Sequence, residues 1–244
     1  MRIAIVSDIH GNLTALDAVI ADLRRQSPDV MLQGGDLPYG GCNPVEVMDR
    51  VAEQGWRGIV GNTDEVLWTD AGLQQLQAAV PKLAPLMRVI KTCATATRRM
   101  LGEARIAHLR SLPTEIREGD IALVHASPGD LWKSPMDNAN DQTLERVYGA
   151  LQARIVVYGH IHRPFVRKLR DFTVCNSGSV GMPYDGDPRS SYLLIDGDSV
   201  TIQRVAYDVE KEAKRLLASD YPYKEWLAEV RRRGEYVQPP QPAS

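Results

Sequence analysis

Apolar positions along the chain alternate between short β-branched runs and stretches of helical period. Arg2 to Val6 has the character of a buried strand, and from Asn12 to Arg25 the residues Leu13, Leu16, Val19, Ile20 and Leu23 recur at helical spacing. The spacing predicts a strand, a tight turn and a helix. It repeats with a strand near Val30 to Leu32, a helix from Pro44 to Glu53 and a strand from Arg57 to Val60. Strands alternating with helices imply right-handed crossovers and a largely parallel, buried sheet. From Val66 to Leu112 the pattern changes to helical runs broken by Pro81, Pro85 and Gly102 with no strand between them, which predicts a helical insertion and not a separately folded domain.

Strand signals return in hairpin form. Thr114 to Arg117 and Ile121 to Val124 flank Gly119-Asp120, Phe165 to Leu169 and Phe172 to Cys175 flank Arg170-Asp171, and Tyr192 to Ile195 and Val200 to Val205 flank Asp196-Gly197-Asp198. A helix from Asp141 to Leu151 and a strand from Arg154 to Tyr158 lie among them. The second half is therefore more antiparallel, and the fold class expected is α/β with mixed sheets. Helical period resumes from Asp208 to Leu217 and from Tyr221 to Arg233, with Asp220 as expected N-cap, Pro222 in the first turn and Gly234 as stop. The division expected is a domain over residues 1–206, holding the insertion at 66–112, followed by a helical extension and Pro-rich tail at 207–244. The segment from Gln238 to Ser244 reads as frayed.

Composition narrows the function classes. The 244 residues carry 29 Lys plus Arg against 31 Asp plus Glu, a net charge of -2, with 43% hydrophobic residues. That excludes a disordered or polyelectrolyte chain. Without a global positive field, an anionic substrate needs a local source of positive charge, and no basic footprint exists for a long nucleic acid. No apolar stretch is long enough for a membrane helix, and Asp8 and His10 cut the apolar N-terminal run too short for a signal segment, so a cytoplasmic location is expected. Cys42, Cys93 and Cys175 are odd in number and widely spaced, which argues against disulfides and a thiolate zinc site.

Four of the five histidines stand just after expected strands, beside Asp and Asn. Asp8 and His10 follow the first strand, Asp36 the second, Asn62 and Asp64 the third, His125 the strand Ile121 to Val124, and His160 and His162 the strand ending at Tyr158. The carboxyl edge of an open α/β sheet is where short loops bring side chains into one crevice. Mixed carboxylate, imidazole and amide-oxygen donors suit divalent Mn, Fe, Zn, Co or Mg. This many donors exceed what one ion with an open position needs, whereas two ions about 3.5 to 4 Å apart can share a carboxylate and stabilise both oxygens in phosphoryl transfer.

The series Asp8-x-His10, Gly35-Asp36, Gly61-Asn62-x-Asp64, His125 and Gly159-His160-x-His162, followed by Asn176-Ser177-Gly178-Ser179-Val180-Gly181, resembles the signature of the calcineurin-like metallophosphoesterases, and most of all their compact bacterial and archaeal phosphodiesterase branch. The resemblance implies a four-layer α/β/β/α sandwich and two divalent metal ions, with Mn or Zn/Fe favoured and Co, Ni or Mg as alternatives. It implies that Asp8, His10 and His162 hold one metal, that Asp36 bridges, and that Asn62, His125 and His160 complete the second. Catalytic roles are implied for Asp36, Asn62, Asp64 and His125, with in-line attack on phosphomonoesters or phosphodiesters by a bridging hydroxide.

One departure shapes the substrate expected. Many family members carry His after the Asn, and here Thr63 stands in that place. Thr63 is a substrate-binding candidate that can donate a hydrogen bond but cannot serve as an acid near neutral pH. General acid catalysis is worth roughly 10²–10⁴-fold, so poor leaving groups suffer, and a small phosphodiester or nucleotide-like substrate is expected over a phosphoprotein. Asp64 is expected to orient a ligand such as His10. The alternatives are a phosphomonoesterase and, from another class, a non-catalytic protein-binding scaffold on the same fold; a homo-oligomer is left open. Elsewhere blander readings prevail. His108 is expected on an exposed helix face, Arg231-Arg232-Arg233 at a solvated helix end, and Arg98 and Arg99 on a charged helix face. Gly40-Gly41 is expected to let backbone approach the site, while Trp68 and Trp132 stand equally for base stacking and for burial under the insertion.

Overall fold

The computed structural model describes residues 1 to 240. Along the chain the strands are β1 (Arg2–Val6), β2 (Val30–Gln33), β3 (Arg57–Gly58), β4 (Glu115–Glu118), β5 (Ile121–Val124), β6 (Ile155–Tyr158), β7 (Phe165–Lys168), β8 (Thr173–Asn176), β9 (Ser190–Asp196) and β10 (Ser199–Val205). The helices are α1 (Leu13–Gln26), α2 (Pro44–Glu53), α3 (Asn62–Glu65), α4 (Ala71–Ala79), α5 (Ala84–Leu101), α6 (Glu103–Ser111), α7 (Asp141–Tyr148), α8 (Val209–Ala218) and α9 (Lys224–Arg233).

The strands form two mixed five-stranded sheets, ordered β10-β9-β1-β2-β3 and β4-β5-β6-β8-β7. In each sheet three strands run parallel, β1-β2-β3 and β5-β6-β8, and antiparallel hairpin strands complete it. Ile3, Ile5, Leu32, Ile121, Leu123, Ile155, Val157 and Leu193 meet between the sheets in one buried layer. Burying each such side chain contributes about 1.5 to 3 kcal/mol. The alternate residues of the same strands face outward under helices: Ala4 and Val6 join α1, α2 and the C-terminal helices, and Ala122, Val124 and Val156 join α7. Because both faces of the parallel strands are covered, these strands read as unbroken apolar runs. The result is the four-layer α/β/β/α sandwich that the pattern and the resemblance led us to expect.

Local sequence explains the first crossover well. The Asn12 side chain accepts the Ala15 N–H and starts α1, whose Leu16, Val19, Ile20 and Leu23 are buried on one face. The segment between α3 and β4 carries α4, α5 and α6 and no strand among the described residues. Its Leu73, Met87, Val89, Ile90, Cys93, Leu101 and Leu109 belong to the same core as α1 and α2.

Most boundaries shift by a residue or two from expectation, and two departures have an identifiable cause. β3 ends at Gly58 instead of Val60 because the Val60 N–H turns away to the Pro113 carbonyl, 3.0 Å away. α9 begins at Lys224, with Tyr223 left-handed before it, so Asp220 is not its N-cap and Pro222 lies outside it. The cause is tertiary: the Tyr221 side chain is buried, and its hydroxyl contacts Thr97 and the Gly40 N–H. Gly234 does stop α9, at φ 64°. Residues 238–240 have no regular structure, and the rest of the expected frayed tail, 241–244, lies outside the described residues. Among those described, no helix is long and apolar enough to cross a membrane.

Candidate metal centre

The loops leaving β1, β2, β5 and β6 and the N-terminus of α3 converge at one edge of the sandwich. Backbone bonds lock them together: Asp8 N–H to Gly35 O at 3.0 Å, His10 N–H to Asp36 O at 3.1 Å and Gly159 N–H to His125 O at 3.0 Å. Two glycines make the approach feasible. Gly35 has φ 90°, and a side chain there would sit 2.5 Å from the backbone nitrogen of Gly61, while one on Gly61 would strike the Asp36 carboxylate. Asp8, His10, Asp36, His160 and His162 all have positive φ, between 51° and 66°. Asp and His tolerate this region better than most residues, yet each such placement costs about 1 to 2 kcal/mol. Strain gathered on these five neighbours marks a site under functional constraint.

All seven candidate donors come together. Asp8, His10, Asp36 and His162 each offer one ligand atom, and these atoms lie within 4.8 Å of one another. His10 Nδ1 lies 3.0 Å from Tyr39 O and His162 Nδ1 lies 2.6 Å from Met182 O. A carbonyl only accepts, so in both rings Nδ1 carries the proton and Nε2 presents its lone pair. Those two Nε2 atoms face each other at 3.1 Å, and His162 Nε2 is 3.1 Å from Asp8 Oδ1. Lone pairs converging beside a carboxylate fit a divalent cation between them.

A second convergence adjoins it. His125 Nδ1 lies 2.7 Å from Gly34 O, and its Nε2 lies 2.8 Å from Asn62 Oδ1. His160 Nδ1 is 3.0 Å from the same amide oxygen. Asp36 lies between the two groups, with Oδ2 3.7 Å from His10 Nε2 and Oδ1 3.5 Å from His125 Nε2.

The electrostatics follow burial and the charges of the neighbouring side chains. Burial pushes His10 down to about 3, helped by the neighbouring His162, and burial with His125 pushes His160 down to about 3, so both are neutral near neutral pH. Burial alone would raise Asp8, but the imidazoles of His162, His125 and His10 hold it well below the usual carboxylate range. Burial pushes Asp36 up; His125 opposes this and the Asp8 carboxylate adds to it. Although burial works against its charge, Asp36 and Asp8 hold His125 above its ordinary value. Two buried carboxylates this close call for positive charge between them.

Asp64 does not orient His10, as sequence reasoning led us to expect. It is fully buried and accepts the N–H groups of Asp36 (2.8 Å), Leu37 (3.0 Å) and Gly61 (2.9 Å), so it acts through the Asp36 loop. Burial and the Asp36 charge push it up to about 7. The residue holding His10 is Tyr39, through a backbone carbonyl that no side-chain pattern could reveal; Gly40-Gly41 was the only signal. Thr63 donates its N–H to Asp36 Oδ1 at 2.9 Å, and its buried hydroxyl has no partner among the described residues. Ser179, in the Asn176–Gly181 run, bonds the Asp8 carbonyl at 2.6 Å. Tyr184, not anticipated, stacks on His162 with centroids 4.4 Å apart.

Other candidates lie elsewhere. Trp132 is buried with its indole N–H 2.7 Å from Glu65, and Trp68 packs against the same core, so burial accounts for both. Arg98 closes the turn after α3 by bonding the Leu67 and Val66 carbonyls; Arg99 and His108 are exposed. The reading of Arg231-Arg232-Arg233 as a solvated end fails for Arg231, which is fully buried with Nη2 donating to His10 O and Gly40 O.

The sequence profile of the calcineurin-like phosphoesterase superfamily domain matches residues 1–199. The chain belongs to this superfamily. As a member it is a phosphoric ester hydrolase of a metal-dependent family. An uncharacterized protein of Methanocaldococcus jannaschii is 28% identical over 250 residues, covering 93% of this chain and 96% of its own. Phosphodiesterase YfcE of Escherichia coli K12 is 24% identical over 212 residues, covering 83% of this chain and 91% of its own. The crystal structure of a metallophosphoesterase from Sphaerobacter thermophilus superposes with a TM-score of 0.78 at 26% identity, covering 96% of this chain and all of that one. The superfamily match stops before α8 and α9.

Proposed function

We propose that this superfamily member hydrolyses small phosphodiesters or nucleotide-like phosphoesters at a centre of two divalent ions. The observation carrying the reading is the placement of Asp36, whose two oxygens face imidazoles of different donor groups. Asp8, His10 and His162 would hold one ion, Asn62, His125 and His160 the other, and Asp36 both. Mn or Zn/Fe suits these nitrogen and oxygen donors. When bound, such ions polarise a phosphoryl oxygen and lower the pKa of a water enough to make it a nucleophile near neutral pH.

The chain's own groups do the rest. Carbonyls of Tyr39 and Met182 fix two imidazole tautomers, so that each Nε2 is ready as a donor atom, and the Gly34 carbonyl holds the His125 ring in place. Asp64 fixes the loop that carries Asp36. The Thr63 hydroxyl, buried and free, is a donor for a phosphoryl oxygen, but it cannot protonate a departing alkoxide. A substrate whose leaving group departs without an acid therefore suits the site, in line with a relative named a phosphodiesterase. The scaffold alternative gains no support from a chain that retains every candidate donor.

The test compares turnover of bis(p-nitrophenyl) phosphate and p-nitrophenyl phosphate, which share a leaving group, across Mn²⁺, Zn²⁺, Fe²⁺, Co²⁺, Ni²⁺ and Mg²⁺. The diester is expected to give the higher kcat/KM. The reverse order would restore the monoesterase reading, and no turnover with any ion would favour the scaffold.

A further inference from the structure

The C-terminal segment reaches the centre through Tyr221 and Arg231. Gly40 is gripped on both sides by residues beyond position 199. Its N–H donates to the Tyr221 hydroxyl at 3.0 Å, and its carbonyl accepts Arg231 Nη2 at 2.9 Å. The same Nη2 also donates to the His10 carbonyl at 3.0 Å. Tyr221 is anchored in turn, with its hydroxyl 2.8 Å from Thr97 Oγ1 and 3.4 Å from the Cys93 carbonyl, both on α5.

The Gly40 N–H belongs to the same planar peptide unit as the Tyr39 carbonyl. Peptide planarity makes the two groups point in opposite directions, so fixing one fixes the other. The Tyr39 carbonyl is the acceptor of His10 Nδ1 at 3.0 Å. Orientation therefore passes from the Tyr221 hydroxyl through one rigid peptide to the His10 ring, and leaves Nε2 facing His162. Arg231 clamps the neighbouring carbonyls on either side of this link. Burying a guanidinium here, 0% exposed, is costly; its Nη2 donates to two backbone oxygens of the loops that build the site, while Nε and Nη1 have no partner among the described residues.

We propose that Tyr221 and Arg231 are positioning residues for His10: the C-terminal segment, docked on the insertion, sets the orientation of that imidazole for the ion it holds. The inference rests on the reading of His10 as a metal donor. It gives α9 and the turn before it, outside the superfamily match, a task in the chemistry.

The test is titration of the metal-free full chain with Co²⁺, followed by calorimetry and by the visible absorption of the bound ion. Tyr221→Phe removes one oxygen; it is expected to weaken one of the two Co²⁺ binding steps by about tenfold and to change the spectrum, within the roughly 10- to 100-fold range for loss of a partner that orients a metal-binding histidine. Arg231→Met is expected to weaken the same step by at least as much, and Arg231→Lys to restore part of it. Arg232→Met, which loses only the exposed pair with Glu210, should match wild type. A purely structural role would lower the melting temperature and leave the isotherm and spectrum of the folded variants at wild-type values, which would overturn the proposal. If Arg231→Met does not fold, Tyr221→Phe decides alone. If wild type itself takes up no Co²⁺, the metal reading falls and this inference with it, an outcome distinct from wild-type behaviour in the variants.

Discussion

The two halves of the centre use the same device but rest on different parts of the molecule. Around Asp8, His10 and His162 the support is distant in sequence: Tyr39 O, Met182 O, the Ser179 hydroxyl on the Asp8 carbonyl and the Arg231 guanidinium behind His10. Around Asn62, His125 and His160 it is sparser, with Gly34 O on His125 and the N-terminal turn of α3 carrying Asn62. His160 is the only one of the four site histidines that is not fully buried. One half is thus sealed by loops and helices, and the other meets solvent. The difference teaches that a symmetric donor list can sit in an asymmetric frame, with rigidity on one side and access on the other.

The harshest way to break the comparison is to remove the residue common to both halves. Asp36→Asn is expected to lower hydrolysis of bis(p-nitrophenyl) phosphate by about 10³-fold or more, about 4 kcal/mol of barrier, and to reduce bound metal in both halves. Full metal-dependent turnover by this variant would mean that the assignment is wrong. A paired experiment separates the halves. His162→Ala and His125→Ala should each lower bound metal from two ions per chain toward one, with about 10²-fold or greater loss of turnover. His162→Ala should also cost more thermal stability, since it removes the stacking on Tyr184. Equal losses of stability would erase the asymmetry. The smallest effect concerns the seal. Burial pushes Cys93 and Cys175 up to about 12 and raises Cys42 as well, so all three stay protonated, and as thiols unreactive, at pH 8. Ellman's reagent should label the native protein slowly and only at half-buried Cys42, and all three sites after denaturation. A rapid second thiol would show that the insertion or the layer between the sheets opens readily.

Much of this architecture was legible in the residues. The parallel strands announced themselves because both their faces are covered, and the donors did so because each follows a strand and must turn sharply into its loop. What stayed hidden depended on contacts between segments far apart in sequence. Arg231 looks like part of a basic helix end, because three consecutive arginines complement a helix C-terminus whether or not one of them turns inward. Asp64 could be recognised as a supporting carboxylate, but its partners are main-chain N–H groups, which every residue possesses. The start of α9 slipped because local capping preferences at Asp220 lost to the burial of Tyr221, and β3 was overextended because apolar Ile59 and Val60 are buried without being in a ladder.

The left-handed backbone at Asp8, His10, Asp36, His160 and His162 has a consequence for evolution in the laboratory. Glycine would relax each of these positions, because it occupies that region without the penalty its larger counterparts incur. At the least enclosed of them, His160, a selection scored on heat resistance alone would thus be drawn toward His160→Gly, discarding a donor to relieve the backbone. At that position durability and chemistry favour different residues.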